Sequence, residues 1–401
     1  MAARALARRK LEDMSSATVT RQFGAGLSQA AAAEVAARET ARQAGAHIDG
    51  DVDLAFLFLS PSHLADTHPA ISALREELAP RNLVGCVAGG VVGRGRELED
   101  GPGIAVWAAG LPGASIRTFH ATAIETEEGF AVDGVPVLSD PSLVVLLSDP
   151  FTFPTDFLLD ALNDERSGLP IVGGVAVGAS RPGLQRLFVD GDVHEEGAVG
   201  VVVSGVEVVT LVSQGCAPIG PDLVVTAAEG SLVQELAGRR ALDVLRSLIL
   251  GLPPREQALA AQGVLAGLVI DENKPEYVRG DYLMRGVLGA EPVSGALALG
   301  DRVRVGQTLR FHVRDAESAD DDLRHALDEA QASGLPAGAL LFTCNGRGTN
   351  LFAEPNHDAR LVEGALGPAV AGFFCGGEIG PVGGRVFLHG FTATLAVFLQ
   401  D

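Results

Sequence analysis

Short apolar runs that end in glycine dominate the hydrophobic pattern of this chain. The first group begins with an apolar run at residues 54–60 and continues with apolar positions at helical spacing over residues 68–78. A glycine-closed run at 83–93 and another apolar run at 103–110 follow. Unbroken apolar runs of this short length are typical of strands buried on both faces. We therefore predict three strands and one helix here.

The same kinds of element recur twice, which indicates internal duplication. In the second group the strand, helix, glycine-closed strand and return strand cover residues 143–148, 156–162, 169–180 and 198–204. In the third group a preceding helix, the strand, the glycine-closed strand and the closing strand cover residues 321–332, 338–343, 369–380 and 390–399. The first strand and the glycine-closed strand start about 29, 26 and 31 residues apart.

These duplicated βαββ-like units predict the fold class. We expect an α/β (α+β) protein in which mixed β-sheets are layered with helices. Because the strands of the units are apolar throughout, two packed sheets between helical layers, an αββα arrangement, would bury them.

A segment with a different pattern of apolar and polar positions separates the second and third units. Residues 218–250 hold a turn, a short strand and a helix-like stretch at 231–250. Residues 281–313 alternate apolar and polar positions, which predicts three antiparallel strands. The proline-containing turn at 214–220 predicts a boundary between two domains, residues 20–217 and 218–401, whose sheets can still pack together.

Composition and charge narrow the classes of function. The chain has 401 residues, and 47% of them are hydrophobic, so a large core is expected. Its formal net charge of -21 repels phosphate backbones, so we predict no nucleic-acid partner. One basic cluster, Arg4, Arg8, Arg9 and Lys10, is interpreted as a solvated chain end.

The chain also lacks membrane and export signals. No apolar run is long enough for a transmembrane helix, and the first residues do not resemble a signal peptide. The four cysteines form no CxxC pair. We therefore expect a cytoplasmic protein with reduced thiols, no membrane partner, no metal and no cofactor.

Two glycine-rich turns carry the candidate chemistry. In CNGRGTN, residues 344–350, turn amides and Arg347 could hold a carboxylate, although a plain turn with a solvated arginine explains the pattern equally well. In FFCGGEIGPVGG, residues 373–384, Glu378 could pair with an amine, whereas a glycine bulge needed only for packing is the alternative. Arg314, at a strand end, is a second candidate for a carboxylate or a member of a surface ion pair.

The cysteines allow a rival hypothesis. Cys344 and Cys375 end analogous strands of the third unit, and either could be a nucleophile with His389 as its base. This would make the chain a cysteine-dependent enzyme that acts on a small metabolite. Buried cysteines more often behave as small hydrophobic residues.

The C-terminal sequences GALLFTCNGRGTNLF and AGFFCGGEIGPVGGRVFLHGFTATLAVF closely resemble the FIST C domain. LVGCVAGGVVG, GIAVWAAGLP and GLPIVGGVAVGAS are similar to the FIST N domain. The resemblance covers about residues 20–401. It implies a sensory module in signal transduction that binds a small ligand, proposed to be an amino acid, and that acts with a signalling partner.

Family members are joined to signalling domains or to an F-box, whereas we expect this chain to be a stand-alone, non-catalytic FIST protein. The positions that match the C-terminal motif, together with Arg314, give the predicted ligand-binding residues: Arg314, Cys344, Asn345, Gly346, Arg347, Cys375, Gly376, Gly377, Glu378 and His389.

Overall fold

A computed structural model describes residues 20–127 and 129–400. The helices of this part of the chain are α1 Ala33–Gly45, α2 Thr67–Leu78, α3 Thr155–Glu165, α4 Ala241–Gly251, α5 Pro254–Gln262, α6 Ala316–Ser333 and α7 His357–Leu366. Its strands are β1 Gln22–Ser28, β2 Leu54–Leu59, β3 Asn82–Val87, β4 Val91–Gly93, β5 Arg96–Leu98, β6 Ile104–Gly110, β7 Ser115–Thr126, β8 Gly129–Asp133, β9 Leu143–Ser148, β10 Ile171–Ala176, β11 Leu187–Val189, β12 Asp192–His194, β13 Ala198–Ser204, β14 Val208–Ser213, β15 Cys216–Glu229, β16 Leu232–Leu236, β17 Arg239–Arg240, β18 Val264–Val269, β19 Tyr282–Ala290, β20 Leu297–Leu299, β21 Thr308–Arg314, β22 Pro336–Cys344, β23 Val370–Val382, β24 Arg385–His389 and β25 Ala393–Leu399. The basic cluster near the N-terminus lies outside the described residues.

The three predicted units share one topology, which confirms the duplication. In each unit the first strand runs parallel to the glycine-closed strand and antiparallel to the return strand: β2 with β3 and β6, β9 with β10 and β13, β22 with β23 and β25. A further strand pairs antiparallel with each return strand, namely β1, β7 and β14. The units therefore have four strands rather than three.

The helix predicted at 321–332, before the first strand of the third unit, is confirmed, but a second helix of this unit was not predicted. The helix expected at 321–332 exists as α6, but the helix in the position equivalent to α2 and α3 is α7, which connects β22 to β23. The short 3₁₀ turn Gly348–Asn350 and the turn before α7 separate that helix from the strand. Its short apolar stripe contains Ala359, Val362 and Leu366.

The layers of the molecule follow the predicted αββα order. One sheet has the strand order β1-β6-β2-β3-β11-β12, and a twelve-stranded sheet has the path β14-β25-β22-β23-β10-β9-β13-β7-β8, with β24, β4 and β5 beside it. An apolar core that includes Phe58, Trp107 and Phe373 fills the space between the two sheets. Helices α1 and α2 cover the outer face of the first sheet, and α3, α6 and α7 cover that of the second. This burial on both faces explains why the strands are apolar throughout.

A separate β-barrel is inserted between β14 and α6. Strands β15, β21, β18, β19, β20 and β16 form a closed ring, because β15 also pairs with β16, and β17 pairs with β16 beside the ring. Of the three antiparallel strands predicted within residues 281–313, the first and the last are β19 and β21. The middle strand was expected around residues 303–305, but it is β20, at residues 297–299. The helix-like stretch predicted at 231–250 is instead β16, β17 and most of α4.

The twelve-stranded sheet takes strands from both sides of the predicted domain boundary. Strand β14 pairs with β25, and β10 pairs with β23. The division at residue 217 stays a prediction, and the two parts share one sheet. Across residues 20–127 and 129–400, no helix combines the length and apolar character that a membrane crossing requires.

Candidate ligand-binding site

The two glycine-rich motifs meet at one edge of the twelve-stranded sheet. Strands β22 and β23 are parallel neighbours, so the ends that carry the motifs lie side by side, with Cys344 and Cys375 in register. The amide of Asn345 donates to the carbonyl oxygen of Cys375 at 2.9 Å. The duplication thus brings the two predicted motifs together.

Arg347 forms a fully buried ion pair with Asp358 at the start of α7. Its Nε and Nη2 atoms donate to the two carboxylate oxygens at 2.7 and 2.9 Å, and Thr343 donates to the same carboxylate at 3.0 Å. Both charged side chains have no exposed surface. Burial alone would raise the pKa of Asp358, but the charge and hydrogen bonds of Arg347 hold it well below its usual range. The carboxylate that Arg347 binds in this structure therefore belongs to the protein itself and not to a ligand.

His357 extends this ion pair to α6. The His357 ring lies 3.0 Å from Asp358 Oδ1 through Nδ1 and 2.9 Å from Asp320 Oδ1 through Nε2. It stacks on Phe352 with ring centroids 3.5 Å apart. Burial lowers its pKa, but the two carboxylates outweigh that effect and raise the pKa above its ordinary value. The network therefore connects the 344–350 turn, α7 and α6.

One nitrogen of Arg347 points away from this network. Its Nη1 atom is buried and has no hydrogen-bond partner among the residues that the structure describes. A Cβ atom at Gly215 would lie 2.5 Å from Nη1, and Gly215 has a φ of +61°. Only glycine fits here without strain, because the backbone both contacts the guanidinium and adopts a left-handed conformation.

Glu378 is the second fully buried charged group of the motifs. Its Oε2 atom accepts hydrogen bonds from the amide of Thr392 at 3.1 Å and from the Thr392 hydroxyl at 2.8 Å. Within residues 20–127 and 129–400, its Oε1 atom has no hydrogen-bond partner. Burial raises the pKa of Glu378 to about 8, although Thr392, Cys344 and Arg347 each lower it. The side chain is consequently neutral over much of the physiological pH range.

We predict that Glu378→Gln removes a pH-dependent loss of stability. A raised pKa in the folded state means that the stabilisation is fully present below the unfolded pKa of about 4.3 and is lost as the pH rises through about 8. Glutamine keeps an oxygen for Thr392 and cannot ionise. The melting temperature of the variant should therefore rise relative to the native chain between about pH 5 and about pH 9. A difference in melting temperature that stays constant over this range would contradict the assignment.

Burial shifts the two motif cysteines away from thiolate formation. It raises the pKa of Cys344 to about 12, with a further contribution from Glu378. It raises the pKa of Cys375 as well, and Cys375 lies in the apolar core between the sheets. His389 is buried, and its Nε2 atom donates to the carbonyl oxygen of Gly380 at 2.9 Å. Burial lowers the pKa of His389 to about 4.

The remaining predicted residues shape the backbone around the motifs. Arg314 donates through Nη2 to the carbonyl oxygen of Gly346 and lies 4.7 Å from the ring centroid of Phe391. Gly376 and Gly377 lie on β23 opposite an irregularity in the pairing of β10. Direct ligand binding by the ten residues stays a prediction. Arg347 and Glu378 bind the internal residues Asp358 and Thr392, and Arg314 and His389 donate to the backbone.

A cavity of about 360 Å³ lies next to these residues, between the barrel and α6. We call it the barrel–helix cavity. Its walls come from the outer face of β15, β19 and β21, from α6, from the connection before β15 and from the segment before β19. Gly215, which contacts Arg347, is part of its wall. The cavity thus lies directly beside the Arg347 network.

The barrel wall of this cavity carries Arg310, His312 and Tyr282. A Cβ atom at Gly267 of β18 would lie 2.7 Å from His312 Cε1, so this glycine makes room for the imidazole. The Nδ1 atom of His312 donates to the carbonyl oxygen of Arg310 at 3.1 Å, and burial lowers the pKa of His312 to about 4. The ring is therefore neutral at pH 7. Tyr282 donates to Asp222 at 2.7 Å, and burial raises its pKa to about 12.

Asp322 provides the opposite charge from α6. Its Oδ2 atom accepts the amide of Gln214 at 2.5 Å, and its Oδ1 atom lies 3.0 Å from Nε of Arg279. Arg279 is 50% exposed, whereas Asp322 is 9% exposed. The ion pair therefore has a fixed inner partner and a solvated outer partner. Because Arg310 and Asp322 line the same cavity, its wall offers one positive and one negative group to a ligand that carries both charges.

The sequence analysis did not identify these cavity residues. The alternation of apolar and polar residues that predicted β21 placed Leu309, Phe311 and Val313 on one face of the strand. In the structure these three side chains fill the interior of the barrel. Arg310 and His312 occupy the opposite face between them, so the polar positions of the same alternation carried the missing signal. Asp322 had no comparable signal, since it lies in an acidic stretch of α6.

Comparison with known proteins identifies the family. Residues 53–239 match the model of the FIST N domain, and residues 241–381 match that of the FIST C domain. An uncharacterized protein of Mycobacterium tuberculosis is 44% identical over 384 residues, which are 94% of this chain and 100% of that protein. An uncharacterized protein of Mycobacterium bovis is 42% identical over 385 residues, 95% of this chain and 99% of that protein. FIST domains are in general sensory domains of signal transduction. The chain belongs to the family of proteins that combine a FIST N domain with a FIST C domain.

Proposed function

We propose that this protein is a non-catalytic sensor that binds a free amino acid in the barrel–helix cavity. The observation that carries the proposal is that Arg310 of β21 and Asp322 of α6 line the same cavity of about 360 Å³. Small-ligand sites commonly have volumes of roughly 300–1,000 Å³ and a few convergent polar groups. Arg310 would hold the carboxylate, and Asp322 would accept the ammonium group.

The predicted motif residues have a supporting role in this proposal. Gly215 separates the cavity from Nη1 of Arg347, and the Arg347 network continues through Asp358 and His357 to Asp320 of α6. Asp322 lies on the same helix two residues further on. A ligand that binds Asp322 more strongly in one position of α6 would shift the population of that position. A cytoplasmic signalling partner would respond to the shift.

The rival cysteine-dependent enzyme gains no support from the geometry. A nucleophilic cysteine needs a thiolate, which a lowered pKa favours. Burial raises the pKa of both Cys344 and Cys375. We therefore do not propose an enzymatic reaction for these thiols.

A thermal-shift screen tests the proposal. The panel contains the common amino acids, the amines that lack their carboxylate and the acids that lack their amino group. At a ligand concentration of 100 times Kd, binding stabilises the folded state by about 2.7 kcal/mol, which is a rise in melting temperature of a few degrees. We expect one amino acid to raise the melting temperature and both of its truncated analogues to fail. Equal shifts with an amine or an acid alone would refute recognition of both charges, and a flat response to the whole panel would refute the amino-acid sensor.

A further inference from the structure

An apolar groove lies on the outer face of the second unit. It has a volume of about 520 Å³ and runs between α3 and the extended segment that follows β8. Val137 and Leu138 line it on the side of the segment, and Phe157, Ala161 and Leu162 line it on the side of the helix. We call it the α3 groove. It shares no lining residue with the barrel–helix cavity.

The three duplicated units differ at this position. In the first unit α1 packs on β1 and β6, and in the third unit α6 packs on β14, so a helix covers the corresponding pair of outer strands. In the second unit the chain between β8 and β9 is extended, and the carbonyl oxygen of Val137 accepts a hydrogen bond from Arg117 of β7 at 3.1 Å. An extended segment is narrower than a helix, which is about 10–12 Å across with side chains. The groove results from that difference in width.

Large apolar side chains are exposed along the groove. Val137 is 78% exposed and Phe157 is 39% exposed. Phe157 contacts Phe130 of β8, which is also 39% exposed, with ring centroids 5.7 Å apart. A continuous exposed apolar surface of this kind is typical of a protein-binding site.

The charge around the groove indicates the chemistry of its occupant. The described residues of the two segments 125–140 and 155–166 include eight acidic residues and one basic residue, and Glu165 and Arg166 line the groove itself. Arg166 donates to the carbonyl oxygen of Ser139 at 2.6 Å and lies 3.7 Å from the carboxylate of Asp140. The two segments that form the groove therefore carry a net negative charge, which complements a basic partner.

We propose that the α3 groove binds an amphipathic helix of a partner protein, with its apolar face in the groove and basic residues along its flanks. The partner helix would take the position that α1 and α6 occupy in the other two units. Recognition of this kind uses apolar anchors at i, i+3, i+4 and i+7 of the bound helix. This surface gives the protein a docking site for a second protein, and it goes beyond the binding of a small ligand.

A defined peptide tests the groove. The probe is a fluorescein-labelled 18-residue peptide with leucine at helical i, i+3, i+4 spacing and lysine elsewhere, titrated with the full chain at physiological salt. A second peptide has the same composition, but its leucines are scattered so that no apolar face forms. We expect the first peptide to bind and each of the variants Val137→Asp and Phe157→Asp to weaken binding by about tenfold or more. The carboxylate added in each variant would attract a basic peptide. Weaker binding by these variants would therefore show that apolar contacts with Val137 and Phe157 hold the peptide.

Leu288→Asp is the matched control. Leu288 lies on β19 of the barrel, is 73% exposed and undergoes the same change in charge. It should bind the probe like the native chain. Val137→Asp and Leu288→Asp should keep the melting temperature of the native chain because both side chains are mostly exposed. Phe157→Asp also removes the ring contact with Phe130, so Val137→Asp is the variant that separates binding from stability. The proposal would be overturned if the scattered peptide bound as tightly as the first peptide, or if the first peptide did not bind the native chain. It would also be overturned if the groove variants bound the first peptide as tightly as the native chain does. Sedimentation that shows a dimer of the native chain, dissolved by Val137→Asp, would assign the groove to a second copy instead.

Discussion

Replacing Asp358 with alanine is expected to destabilise the protein by about 3–5 kcal/mol. The substitution leaves the Arg347 guanidinium fully buried without its carboxylate, and the Thr343 hydroxyl loses its acceptor as well. A buried charge without a partner is among the largest single-residue penalties in proteins. In a chain of this size the effect is a drop in melting temperature on the order of 5 °C, measured by differential scanning calorimetry.

Two further variants separate the buried charge from the loss of a side chain. Asp320→Ala removes the other carboxylate of the same network, but Asp320 is 28% exposed and should contribute well under about 1 kcal/mol. The double variant Arg347→Met, Asp358→Leu removes both charges and should recover most of the stability lost in Asp358→Ala. If Asp358→Ala and Asp320→Ala lowered the melting temperature equally, the buried pair would not have the role described here.

Replacing Arg310 with methionine is expected to weaken binding of the amino acid by roughly 10–100-fold. A hydrogen bond to a charged group contributes about 1.5–3 kcal/mol, and every 1.4 kcal/mol is a factor of ten in Kd. Methionine keeps most of the apolar stem of arginine, so the wall of the cavity is preserved. Isothermal titration calorimetry on the ligand from the screen measures the change.

Arg302→Met is the control for this experiment. Arg302 is an exposed arginine of the barrel that does not line the barrel–helix cavity, and its replacement makes the same change in net charge. It should leave Kd unchanged within about twofold. A similar loss of affinity in both variants would show that the arginines act through the overall charge, and full affinity in Arg310→Met would remove Arg310 from the site.

The strands of the units could be predicted from the sequence because their burial is uniform. Strands such as β9 and β13 are apolar along nearly their whole length, and the predicted bounds at 143–148 and 198–204 coincide with the observed ones. The helix α7 was missed because it has ten residues and begins beyond a 3₁₀ turn. Its one strong feature, Asp358, is polar and buried, and its partner Arg347 lies eleven residues earlier in the chain.

Only the part of the candidate site that lies on neighbouring strands of one repeat unit could be predicted from the sequence. Cys344 and Cys375 meet because β22 and β23 are parallel neighbours, which the repeat implies. The barrel–helix cavity depends on how an inserted barrel packs against α6, and neither periodicity nor a local motif specifies that packing. Arg310 and Asp322 lie on different elements and resemble ordinary surface charges in the sequence. Burial and a shared cavity distinguish them, and both are properties of the tertiary structure.

A crystal structure of the chain with the amino acid from the screen tests the location of the site most directly. We predict electron density for the ligand in the barrel–helix cavity, with its carboxylate within hydrogen-bond distance of Arg310 and its ammonium group next to Asp322. The Arg347–Asp358 pair should stay intact behind Gly215. Density for the ligand on Glu378 and Cys344, or anywhere outside the barrel–helix cavity, would contradict the proposed site.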